Sequence, residues 1–513
     1  MKSRIIFTLF ILALHHIATA QNIIAIKANQ GRDTISRFIY GHFAEHLGRC
    51  IYGGIWVDEP TANIPNRNGI RLDVAEALKK ISVPVIRWPG GCFADAYHWR
   101  DGIGPRESRK HTENVWWGNV RETNSFGTHE FLELCEMLGA EPYLAVNVGS
   151  GTVQEAAEWV QYVNHKNGTS DLTDLRKQNG RDQPWKVKYW GIGNESWGCG
   201  GNMTVEYYVN LYRQFATFMT SYSNSEKLFR IAVGPGIEDY HWTEVLMRDI
   251  PRNMLDGISI HHYSVINWRN KGSATQFSEQ EYYTTVREAL RADKIISRHK
   301  AVMDKYDPQK KVALIVDEWG TWYNAEPGTN GAFLYQQNTM RDAVVAGLSL
   351  NIFNTHSDRV KMANLAQMVN VLQALILTSN EKMVLTPTYH VFEMYKVHHD
   401  ALHLPVTKQV NRYFAGGDTL DVISASASRK GNTIYVSLVN IHINQPQQVT
   451  ISIEGSTFKA VSGRVLKSKN PHDHNTFNEP DKVKPAGFTD YKISGNRIDA
   501  VVPPTGIVVL QIN

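Results

Sequence analysis

The stretch VKYWGIGNESWGCGG, from Val187 to Gly201, decides how the rest of the chain is interpreted. It opens with a short apolar run that ends at Glu195. A second stretch, VALIVDEWG from Val312 to Gly320, repeats the arrangement and ends its apolar run near Glu318. Short runs of β-branched and aromatic residues closed by Gly or Asn are typical of buried strands. If both strands belong to one parallel barrel, both glutamates lie at its carboxyl-terminal mouth, where barrel enzymes hold their catalytic groups.

Two carboxylates that face one cleft are the groups that a glycosidase needs. A single glutamate in such a place can instead cap the following helix or form a surface ion pair. Here both glutamates follow apolar runs and both have aromatic neighbours, which favours the catalytic interpretation for the pair. The sequence therefore predicts a catalytic site built from Glu195 and Glu318.

Strand and helix patterns alternate between residues 37 and 385, which predicts parallel βαβ units. Eight units fit a closed (β/α)8 TIM barrel better than an open sheet, and no G-x-G-x-x-G follows the first strand to suggest dinucleotide binding. The predicted strands are Arg37–Tyr40, Val83–Trp88, Pro142–Asn147, Val187–Gly193, Phe229–Val233, Gly257–His261, Val312–Asp317 and Ser349–Asn354. The predicted helices are Leu72–Lys80, Thr128–Leu138, Val153–Val163, Val205–Ser221, Thr243–Arg248, Glu279–Lys305, Tyr335–Ala346 and Ala363–Thr378.

Beyond residue 386 the pattern changes to short strands separated by turns, which is typical of an all-β sandwich of the jelly-roll kind. The early strand Ile23–Ala28 precedes the barrel and is expected to join that sandwich. The predicted domains are a signal peptide at 1–20, an N-terminal strand region at 21–36, a catalytic barrel at 37–385 and a C-terminal β-sandwich at 386–513.

The amino terminus resembles an export signal. Lys2 and Arg4 precede a mostly apolar run, and Ala18-Thr19-Ala20 matches an A-x-A cleavage site before Gln21. The sequence thus predicts an exported, soluble protein, periplasmic or secreted. The formal net charge is +4 and no block of Lys and Arg occurs, so neither nucleic acid nor membrane insertion is expected.

Polar and aromatic residues crowd the carboxyl ends of the predicted barrel strands, whereas the strand bodies are apolar. That asymmetry is what a catalytic rim requires. Neighbouring residues on a strand point to opposite faces, which argues against His261 and His262 as a metal pair. Two carboxylates suffice as acid and nucleophile, so we expect no metal and no cofactor. The rim residues include Glu45, Arg87, Cys92, Asn194, Glu195, His261, Tyr263, Glu318, Trp322, Asn354 and His356.

Five motifs in this order resemble glycoside hydrolase family 51, which consists chiefly of α-L-arabinofuranosidases. The resemblance covers essentially the whole chain after the signal. It implies a retaining, exo-acting enzyme that releases terminal α-L-arabinofuranosyl residues from arabinan, arabinoxylan or their oligosaccharides, and a homo-oligomer, hexameric or smaller. The motifs are RWPGG at Arg87–Gly91, GIGNE at Gly191–Glu195, the His-x-Tyr strand end at His261–Tyr263, DEWG at Asp317–Gly320 followed by Trp322, and AQMVN at Ala366–Asn370.

The resemblance also implies roles for individual residues. Glu195 corresponds to the general acid/base of the family and Glu318 to its nucleophile. Asn194 corresponds to the residue that binds the sugar 2-hydroxyl, and Tyr263 to one that orients the nucleophile. The residues that correspond to further contacts of the terminal sugar are Glu45, Trp322 and Gln367.

The same rim contains two supporting residues and one position at which the chain differs from the family pattern. Arg87 is expected either to steady a rim carboxylate through charge-assisted hydrogen bonds or to serve only the strand end, and His261 to lie behind the glutamates. Cys92 stands where many family members have Asn, and a thiol is a weaker hydrogen-bonding group. We still expect Cys92 to line the pocket. Cys50 and Cys199 lie on rim loops too, which leaves an active-site disulfide open.

Two other functions remain open at this point. An endo-acting glycanase, similar to an endoglucanase, could use the same barrel with an open groove, and a non-catalytic carbohydrate-binding protein could retain the fold. The connection from Ala94 to Asn124 is long and rich in Trp, which favours a closed pocket or a subunit contact. Both candidate glutamates are present, which argues against binding alone.

Overall fold

A computed structural model of the protein describes residues 22–58, 63–220, 227–415 and 417–513. The predicted signal peptide, residues 1–20, lies outside the described residues. In the first part of the chain the strands are β1 (Asn22–Lys27), β2 (Gly41–Phe43), β3 (Asn66–Arg67), β4 (Ile70–Arg71), β5 (Val85–Trp88), β6 (Thr112–Asn114), β7 (Val120–Glu122), β8 (Glu141–Val146), β9 (Tyr189–Ile192), β10 (Phe229–Ala232), β11 (Gly257–Ser264), β12 (Ala313–Thr321) and β13 (Val360–Leu365).

Eight of these strands form a closed parallel barrel in the order β2-β5-β8-β9-β10-β11-β12-β13, with β13 pairing back onto β2. This confirms the predicted (β/α)8 barrel. Within the described ranges, no helix combines the length and the hydropathy of a membrane span. The helices are α1 (Leu72–Lys80), α2 (Thr128–Leu138), α3 (Val153–Asn164), α4 (Asp171–Gln178), α5 (Val205–Phe218), α6 (Tyr240–Asp249), α7 (Glu279–Tyr306), α8 (Met340–Thr355) and α9 (Pro387–Tyr395).

The rest of the chain is mostly strand, as predicted. Its strands are β14 (Ile376–Ser379), β15 (Lys382–Leu385), β16 (Leu402–Leu404), β17 (Val406–Gln409), β18 (Arg412–Ala415), β19 (Asp418–Asp421), β20 (Ile423–Lys430), β21 (Thr433–Asn440), β22 (Gln447–Glu454), β23 (Val461–Leu466), β24 (Ala486–Gly487), β25 (Tyr491–Ser494), β26 (Arg497–Val502) and β27 (Ile507–Ile512). A five-stranded sheet, β17-β1-β22-β26-β25, and a six-stranded sheet, β16-β20-β21-β27-β23-β24, enclose an apolar core. Strand β1 pairs with β22 and β17, so the start of the described chain lies in this domain.

The first and last barrel strands differ from the prediction. Arg37–Tyr40 is a 3-10 turn, and the first barrel strand follows it at Gly41. The predicted strand Ser349–Asn354 belongs to helix α8, and the predicted helix Ala363–Thr378 contains the end of β13 and the start of β14. Helix α8 contacts barrel strands on one side and β20, β21 and β27 on the other. Because it is buried all round, its apolar run has no helical periodicity to distinguish it from a strand.

The barrel interior changes from apolar to charged along the strands. Side chains near the amino ends pack into one apolar layer made of Val85, Tyr143, Tyr189, Ile231, Ala313, Ile315 and Met362. Strand side chains that face the same way recur every second residue. Arg87 therefore follows Val85 on the inward face, and Asp317 follows Ile315. The apolar layer thus carries a charged layer at the carboxyl end of the barrel.

Candidate active site

A buried guanidinium links three barrel strands at the rim. Arg87 on β5 donates from Nη1 to Glu318 Oε1 at 2.8 Å and from Nη2 to Asn194 Oδ1 at 2.6 Å. Its Nε lies 3.5 Å from Asp317 Oδ2. Burial opposes the charge of Arg87, but Asp317 and Glu318 outweigh it and raise the pKa of the guanidinium. Arg87 is therefore a fixed positive charge beside the carboxylate of Glu318.

Both oxygens of Glu318 accept a hydrogen bond, so the carboxylate is fixed in orientation. Tyr263 on β11 donates from Oη to Glu318 Oε2 at 2.8 Å, opposite the bond from Arg87. Burial raises the pKa of Tyr263, with the charge of Glu318 adding to the effect, so the phenol stays a donor at neutral pH. Tyr143 on β8 likewise donates to Asp317 Oδ2 at 2.8 Å.

A bulge in β12 allows two consecutive acids to face the interior. Toward β13, Val316 pairs with Ala363 and Trp319 with Leu365, so β12 has one residue more than its neighbour over this segment. The pairing with β11 shows the same shift. In a regular strand Asp317 and Glu318 would point to opposite faces. An extra residue re-aims a side chain, which is why bulges occur beside active sites.

Glu195 lies opposite Glu318 and contacts His261 on β11. His261 Nδ1 is 2.8 Å from Glu195 Oε1 and 3.4 Å from Glu318 Oε2, and its Nε2 is 3.2 Å from Asp317 Oδ1. Burial disfavours the imidazolium, but Glu318, Asp317 and Glu195 outweigh it and raise the pKa of His261 to about 10. His261 is thus a cation between three carboxylates. Its neighbour His262 points the other way, to the Glu288 carbonyl on α7.

The two glutamates are close, and their surroundings differ. A carboxylate oxygen of Glu195, a ring nitrogen of His261 and a carboxylate oxygen of Glu318 all lie within 4.8 Å of one another. The Glu195 side chain is 22% exposed, whereas that of Glu318 is 8% exposed. Glu195 can therefore exchange protons with solvent more readily than Glu318. These three side chains offer one imidazole and two carboxylates, which are ligand types that metal ions take in proteins.

Glu45 supplies a further buried carboxylate to the cleft. Glu45 follows β2, and its Oε1 accepts hydrogen bonds from Gly91 N at 3.1 Å and Trp117 Nε1 at 2.9 Å. Its Oε2 accepts from Gln367 Nε2 at 2.5 Å. Burial raises the pKa of Glu45 to about 7, and the negative charge of Glu318 acts in the same direction. Gln367 follows β13, so it lies in the true eighth rim loop and not in a helix.

Gly91 lies between the two buried carboxylates. A methyl group in place of its hydrogen would lie 3.0 Å from Glu318 Oε1 and 3.4 Å from Glu45 Oε1. Any side chain at this position would occupy the space between them. The absence of a side chain therefore opens the cleft floor to a ligand that contacts both acids.

Aromatic rings continue from the cleft toward solvent. The rings of Tyr263 and Trp322 meet edge to face, with centroids 5.3 Å apart, and Trp322 meets Trp268 in the same way at 5.7 Å. Trp268 is 53% exposed. Lys271 lies over the Trp322 ring, 5.5 Å from its centroid. These rings form a continuous apolar wall that leads outward from Glu318.

Cys92 forms a disulfide with Cys199, with the Cα atoms 5.5 Å apart. The disulfide that the sequence left open is therefore formed by Cys92 and Cys199, and the sulfur of Cys92 has no hydrogen to donate. Cys50 takes no part in the disulfide: it and Cys135 are buried free cysteines. The Cys92–Cys199 bond ties the turn after β5 to the loop after β9.

Asp95 makes a second tie between the same two loops. Its Oδ2 accepts from Asn194 N at 3.0 Å, and its Oδ1 accepts from Val148 N at 2.8 Å and Gly149 N at 2.7 Å. Burial raises the pKa of Asp95 to about 7, although these backbone donors and Arg87 oppose the shift. The carboxylate holds the strand ends of β8 and β9 in register beside Glu195.

Asp95→Asn is expected to change how stability depends on pH. Folded Asp95 holds its proton more tightly than in the unfolded chain, where an Asp pKa is about 3.9. Its contribution is therefore fully present below about pH 4 and is lost as pH rises through about 7. The stability advantage of wild type over the variant should shrink between pH 5 and pH 8, by at most about 1.4 kcal/mol per pH unit.

Urea unfolding of both proteins at pH 5, 6.5 and 8 measures this difference. Asp490→Asn, at an exposed position in the sandwich domain, is the matched control and should show the same difference from wild type at each pH. A wild-type advantage over Asp95→Asn that stays constant or grows with pH contradicts the prediction.

The sequence pattern missed several residues of this site. Trp117 lies in the Trp-rich connection Ala94–Asn124, but the sequence did not indicate that its indole donates to Glu45. Tyr143 lies within an apolar strand, and only its phenol hinted at a polar partner. Asp95 is an acid in the otherwise apolar turn FADAY, a signal that could have been used. Asn354 and His356 are not rim residues, because they lie at the end of α8, where Asn354 bonds Tyr40 and His356 bonds Asp293.

Comparisons with known proteins agree along the whole chain. The family model "Alpha-L-arabinofuranosidase 1 domain" matches residues 77–283, and "Alpha-L-arabinofuranosidase C-terminal domain" matches residues 317–505. The chain is 50% identical to an "Intracellular exo-alpha-L-arabinofuranosidase" of Bacteroides ovatus, over 100% of both chains. Its fold matches a family 51 arabinofuranosidase of Xanthomonas axonopodis pv. citri with a TM-score of 0.94 and 46% identity, over 96% of this chain and 100% of that one.

A more distant solved structure has the same architecture. The α-L-arabinofuranosidase of Thermotoga maritima, solved as an arabinose complex, matches with a TM-score of 0.83 and 30% identity, over 96% of this chain and 99% of that one. The predicted export is contradicted by the comparisons, because the full-length Bacteroides ovatus relative is named an intracellular enzyme. The predicted signal, periplasmic location and secretion are therefore corrected.

The matched models, the full-length relative and the solved structures name the same group of enzymes, and they agree with the motifs that first suggested it. The barrel with its carboxyl-end acids and the sandwich domain are the architecture of that group. The chain belongs to glycoside hydrolase family 51, among the α-L-arabinofuranosidases.

Proposed function

We propose that the protein is a retaining, exo-acting α-L-arabinofuranosidase that releases terminal non-reducing arabinofuranosyl residues from arabinan, arabinoxylan or derived oligosaccharides. The observation that carries the retaining mechanism is the spacing of the acids, since one carboxylate oxygen of Glu195 lies within 4.8 Å of one of Glu318. Retaining glycosidases hold their two carboxyl groups about 5–5.5 Å apart, whereas inverting enzymes leave about 6.5–9.5 Å for a water molecule.

In the first step Glu318 attacks the anomeric carbon. Arg87 and Tyr263 each donate to one of its oxygens, so the carboxylate is correctly turned before the substrate arrives. Glu195 donates its proton to the leaving oxygen as the glycosidic bond breaks. The product of this step is an arabinofuranosyl ester on Glu318, and the aglycone leaves with the proton.

In the second step Glu195 takes a proton from water, and the water oxygen attacks the anomeric carbon and releases Glu318 as a carboxylate. Glu318 is then an ester without a negative charge, so it no longer repels a negative charge on Glu195. The His261 cation stays beside Glu195 Oε1 and stabilises the carboxylate needed for this step. His261 is thus a positioning group that serves both states of the acid/base.

The sugar site is supported by the polar groups around Glu45. Glu45, Gln367 and the backbone at Gly91 form one connected set on the side opposite Glu195. With a pKa near 7, Glu45 can accept from or donate to a sugar hydroxyl at neutral pH. Asn194 is held through its Oδ1 by Arg87, and its Nδ2, 3.9 Å from Cys199 Sγ, is the group that would donate to the 2-hydroxyl. Trp117 closes this side, which favours a pocket for one terminal sugar.

The two alternatives receive less support. An endo-acting glycanase would need a groove open on both sides of the acids, but Trp117 bonds Glu45 at one side. Two relatives that match most of the chain, at 50% and 34% identity, carry arabinofuranosidase names. A binding protein would not need Arg87 and Tyr263 aimed at Glu318. We also propose that the chain forms a homo-oligomer, hexameric or smaller, which light scattering coupled to gel filtration tests.

The stereochemical outcome tests the proposal directly. The enzyme is incubated with p-nitrophenyl α-L-arabinofuranoside in dilute methanol, and the transfer product is examined by proton NMR. Retention gives methyl α-L-arabinofuranoside. Formation of the β-anomer would contradict the retaining mechanism, and failure to cleave this glycoside while internal bonds of a β-glucan are cleaved would favour the endo-acting alternative.

Trp268 is expected to bind the chain that carries the arabinose. Its exposed face continues the wall formed by Tyr263 and Trp322, on which a sugar ring can stack. Trp268→Ala should raise KM for arabino-oligosaccharides about 5- to 30-fold, the size expected for one lost stacking contact. KM for p-nitrophenyl α-L-arabinofuranoside should change less, because its aglycone is small.

Initial rates with both substrates give the two KM values that are compared. Tyr207→Ala is the matched control, because Tyr207 is an aromatic residue of similar exposure, 57% against 53%, that lies on helix α5. That variant should leave both KM values unchanged. An equal change of KM for both substrates in Trp268→Ala would contradict a site for the carrier chain.

A further inference from the structure

Three residues link the loop after β5 to the loop after β9. Cys92 and Cys199 form the disulfide, and Asp95 accepts from Asn194 N at 3.0 Å. We call Cys92, Asp95 and Cys199 the rim clamp. Its two ends are 107 residues apart in sequence, and the loop it holds carries Glu195. The proposed acid/base is therefore covalently tied to the turn that contains Gly91.

The disulfide lies against the proposed acid/base itself. Cys199 Sγ is 3.6 Å from Glu195 Oε2 and 3.9 Å from Asn194 Nδ2. A disulfide sulfur has no hydrogen, so its contact with Oε2 is not a hydrogen bond. Because Oε1 faces His261, Oε2 is the oxygen left to exchange a proton with the substrate. A reduced Cys199 would instead present an S–H donor at this position.

The loop around Glu195 needs external support. Glu195 has a φ of +37° and Gly193 a φ of +92°, and Gly198 N and Gly200 N both bond the Glu195 carbonyl. A non-glycine residue in the left-handed region persists when its surroundings hold it there. The rim clamp is a part of those surroundings that a chemical reaction can break.

We propose that the Cys92–Cys199 disulfide is a positioning element for Glu195, and that its reduction by a dithiol reversibly lowers glycosidase activity. The proposal rests on the acid/base role given to Glu195 above. A thiolate of the dithiol attacks one sulfur and releases the other cysteine as a thiolate. The second thiol of the reagent then displaces the first cysteine, so the reagent leaves as a disulfide and two electrons reduce the protein to two thiols.

The other cysteines do not compete for the reagent. Cys92 and Cys199 are part-exposed, whereas Cys50 and Cys135 are buried. Burial raises the pKa of the Cys50 thiol to about 12 and also raises that of Cys135, so neither is a reactive thiolate at neutral pH. A dithiol acting on the native protein should therefore change only the rim clamp.

The test compares oxidised and dithiothreitol-reduced wild type with two aryl arabinofuranosides. The p-nitrophenyl glycoside has a good leaving group that needs little protonation, and the p-methoxyphenyl glycoside has a poor one. A misplaced acid should lower kcat/KM for the poor leaving group by roughly 10- to 100-fold and for the good one by less. Reoxidation should restore both values. Thiol labelling should find two additional accessible thiols after reduction.

Three variants separate positioning from general damage. Cys92→Ala/Cys199→Ala should match the reduced wild type in leaving-group dependence and should not respond to dithiothreitol. Cys199→Ser places a hydroxyl donor beside Glu195 Oε2, whereas Cys199→Ala places no hydrogen-bond donor there. Cys135→Ser, on helix α2, should keep the full response of wild type. A variant that fails to fold leaves the reduced wild type as the deciding sample.

Three results would overturn the proposal. The first is a fully reduced enzyme, shown by thiol count, whose kcat/KM on both glycosides equals that of the oxidised enzyme. The second is a native enzyme whose disulfide is absent or resists dithiothreitol. The third is an equal loss on both glycosides, which would show a structural role without positioning of the acid. Inactivity of the oxidised enzyme would instead refute the proposed function, so the two failures are distinguishable.

Discussion

Glu318→Ala is expected to lower kcat/KM on p-nitrophenyl α-L-arabinofuranoside by roughly 10⁵-fold or more, the size seen when a covalent nucleophile is removed. The carboxylate oxygen that attacks the anomeric carbon is lost, and no nearby group can replace it. Arg87 and Tyr263 then have no carboxylate to orient, and His261 loses one of its three acidic neighbours. Steady-state kinetics against wild type measures the loss.

Azide distinguishes a missing nucleophile from a misfolded site. In Glu318→Ala a small anion can enter the cavity and attack the anomeric carbon once, and the product is the inverted β-glycosyl azide. Glu381→Ala is the matched control, because Glu381 is an exposed acid outside the cleft and its loss should leave kcat/KM unchanged. Residual activity of Glu318→Ala within tenfold of wild type would assign the nucleophile to another residue.

Glu195→Ala is expected to show a loss that depends on the leaving group. General acid catalysis contributes about 10²- to 10⁴-fold, so kcat/KM on arabino-oligosaccharides should fall by that factor. The first step with p-nitrophenol as leaving group needs little protonation and should be much less affected. Hydrolysis of the ester on Glu318 should then be slow, because no base activates water. A burst of p-nitrophenol followed by a slow steady rate is the expected time course.

Azide has the opposite stereochemical effect in this variant. It needs no general base, so it should speed the second step and give the α-glycosyl azide, with configuration retained. Wild type provides the comparison and should gain little from azide. An equal loss on oligosaccharides and on the p-nitrophenyl glycoside, without azide rescue, would contradict an acid/base role for Glu195. The pair of azide products thus assigns the two glutamates independently.

The fold class was predictable because its signals are local. Alternating strands and helices over some 350 residues predict a parallel barrel, and apolar strand bodies with polar ends predict which rim carries chemistry. The positions of the first and last barrel strands were less predictable. Helix α8 is buried between barrel and sandwich, so its run SLNIF has the composition of a strand, and the eighth strand was assigned to it instead of to Val360–Leu365.

The residues of the candidate site could be predicted from the sequence, but their arrangement could not. Arg87, Asn194, Glu195, Tyr263 and Glu318 could be named because each ends a strand in a recognisable motif, and the structure brings them together. Their catalytic roles remain predictions. Asp95 and Tyr143 were missed, because a buried acid and a phenol within apolar segments acquire partners only when distant strands meet.

By itself the sequence determined the repeat of strands and helices, the two glutamates that end strands four and seven, and the family to which the chain belongs. These features depend on residues close together in the chain. The tertiary structure decided the bulge in β12 that turns both Asp317 and Glu318 inward, the pairing of Cys92 with Cys199, and the contact of Trp117 with Glu45. Each of these joins segments from different barrel strands, and strand register and loop closure fix them only when the barrel closes.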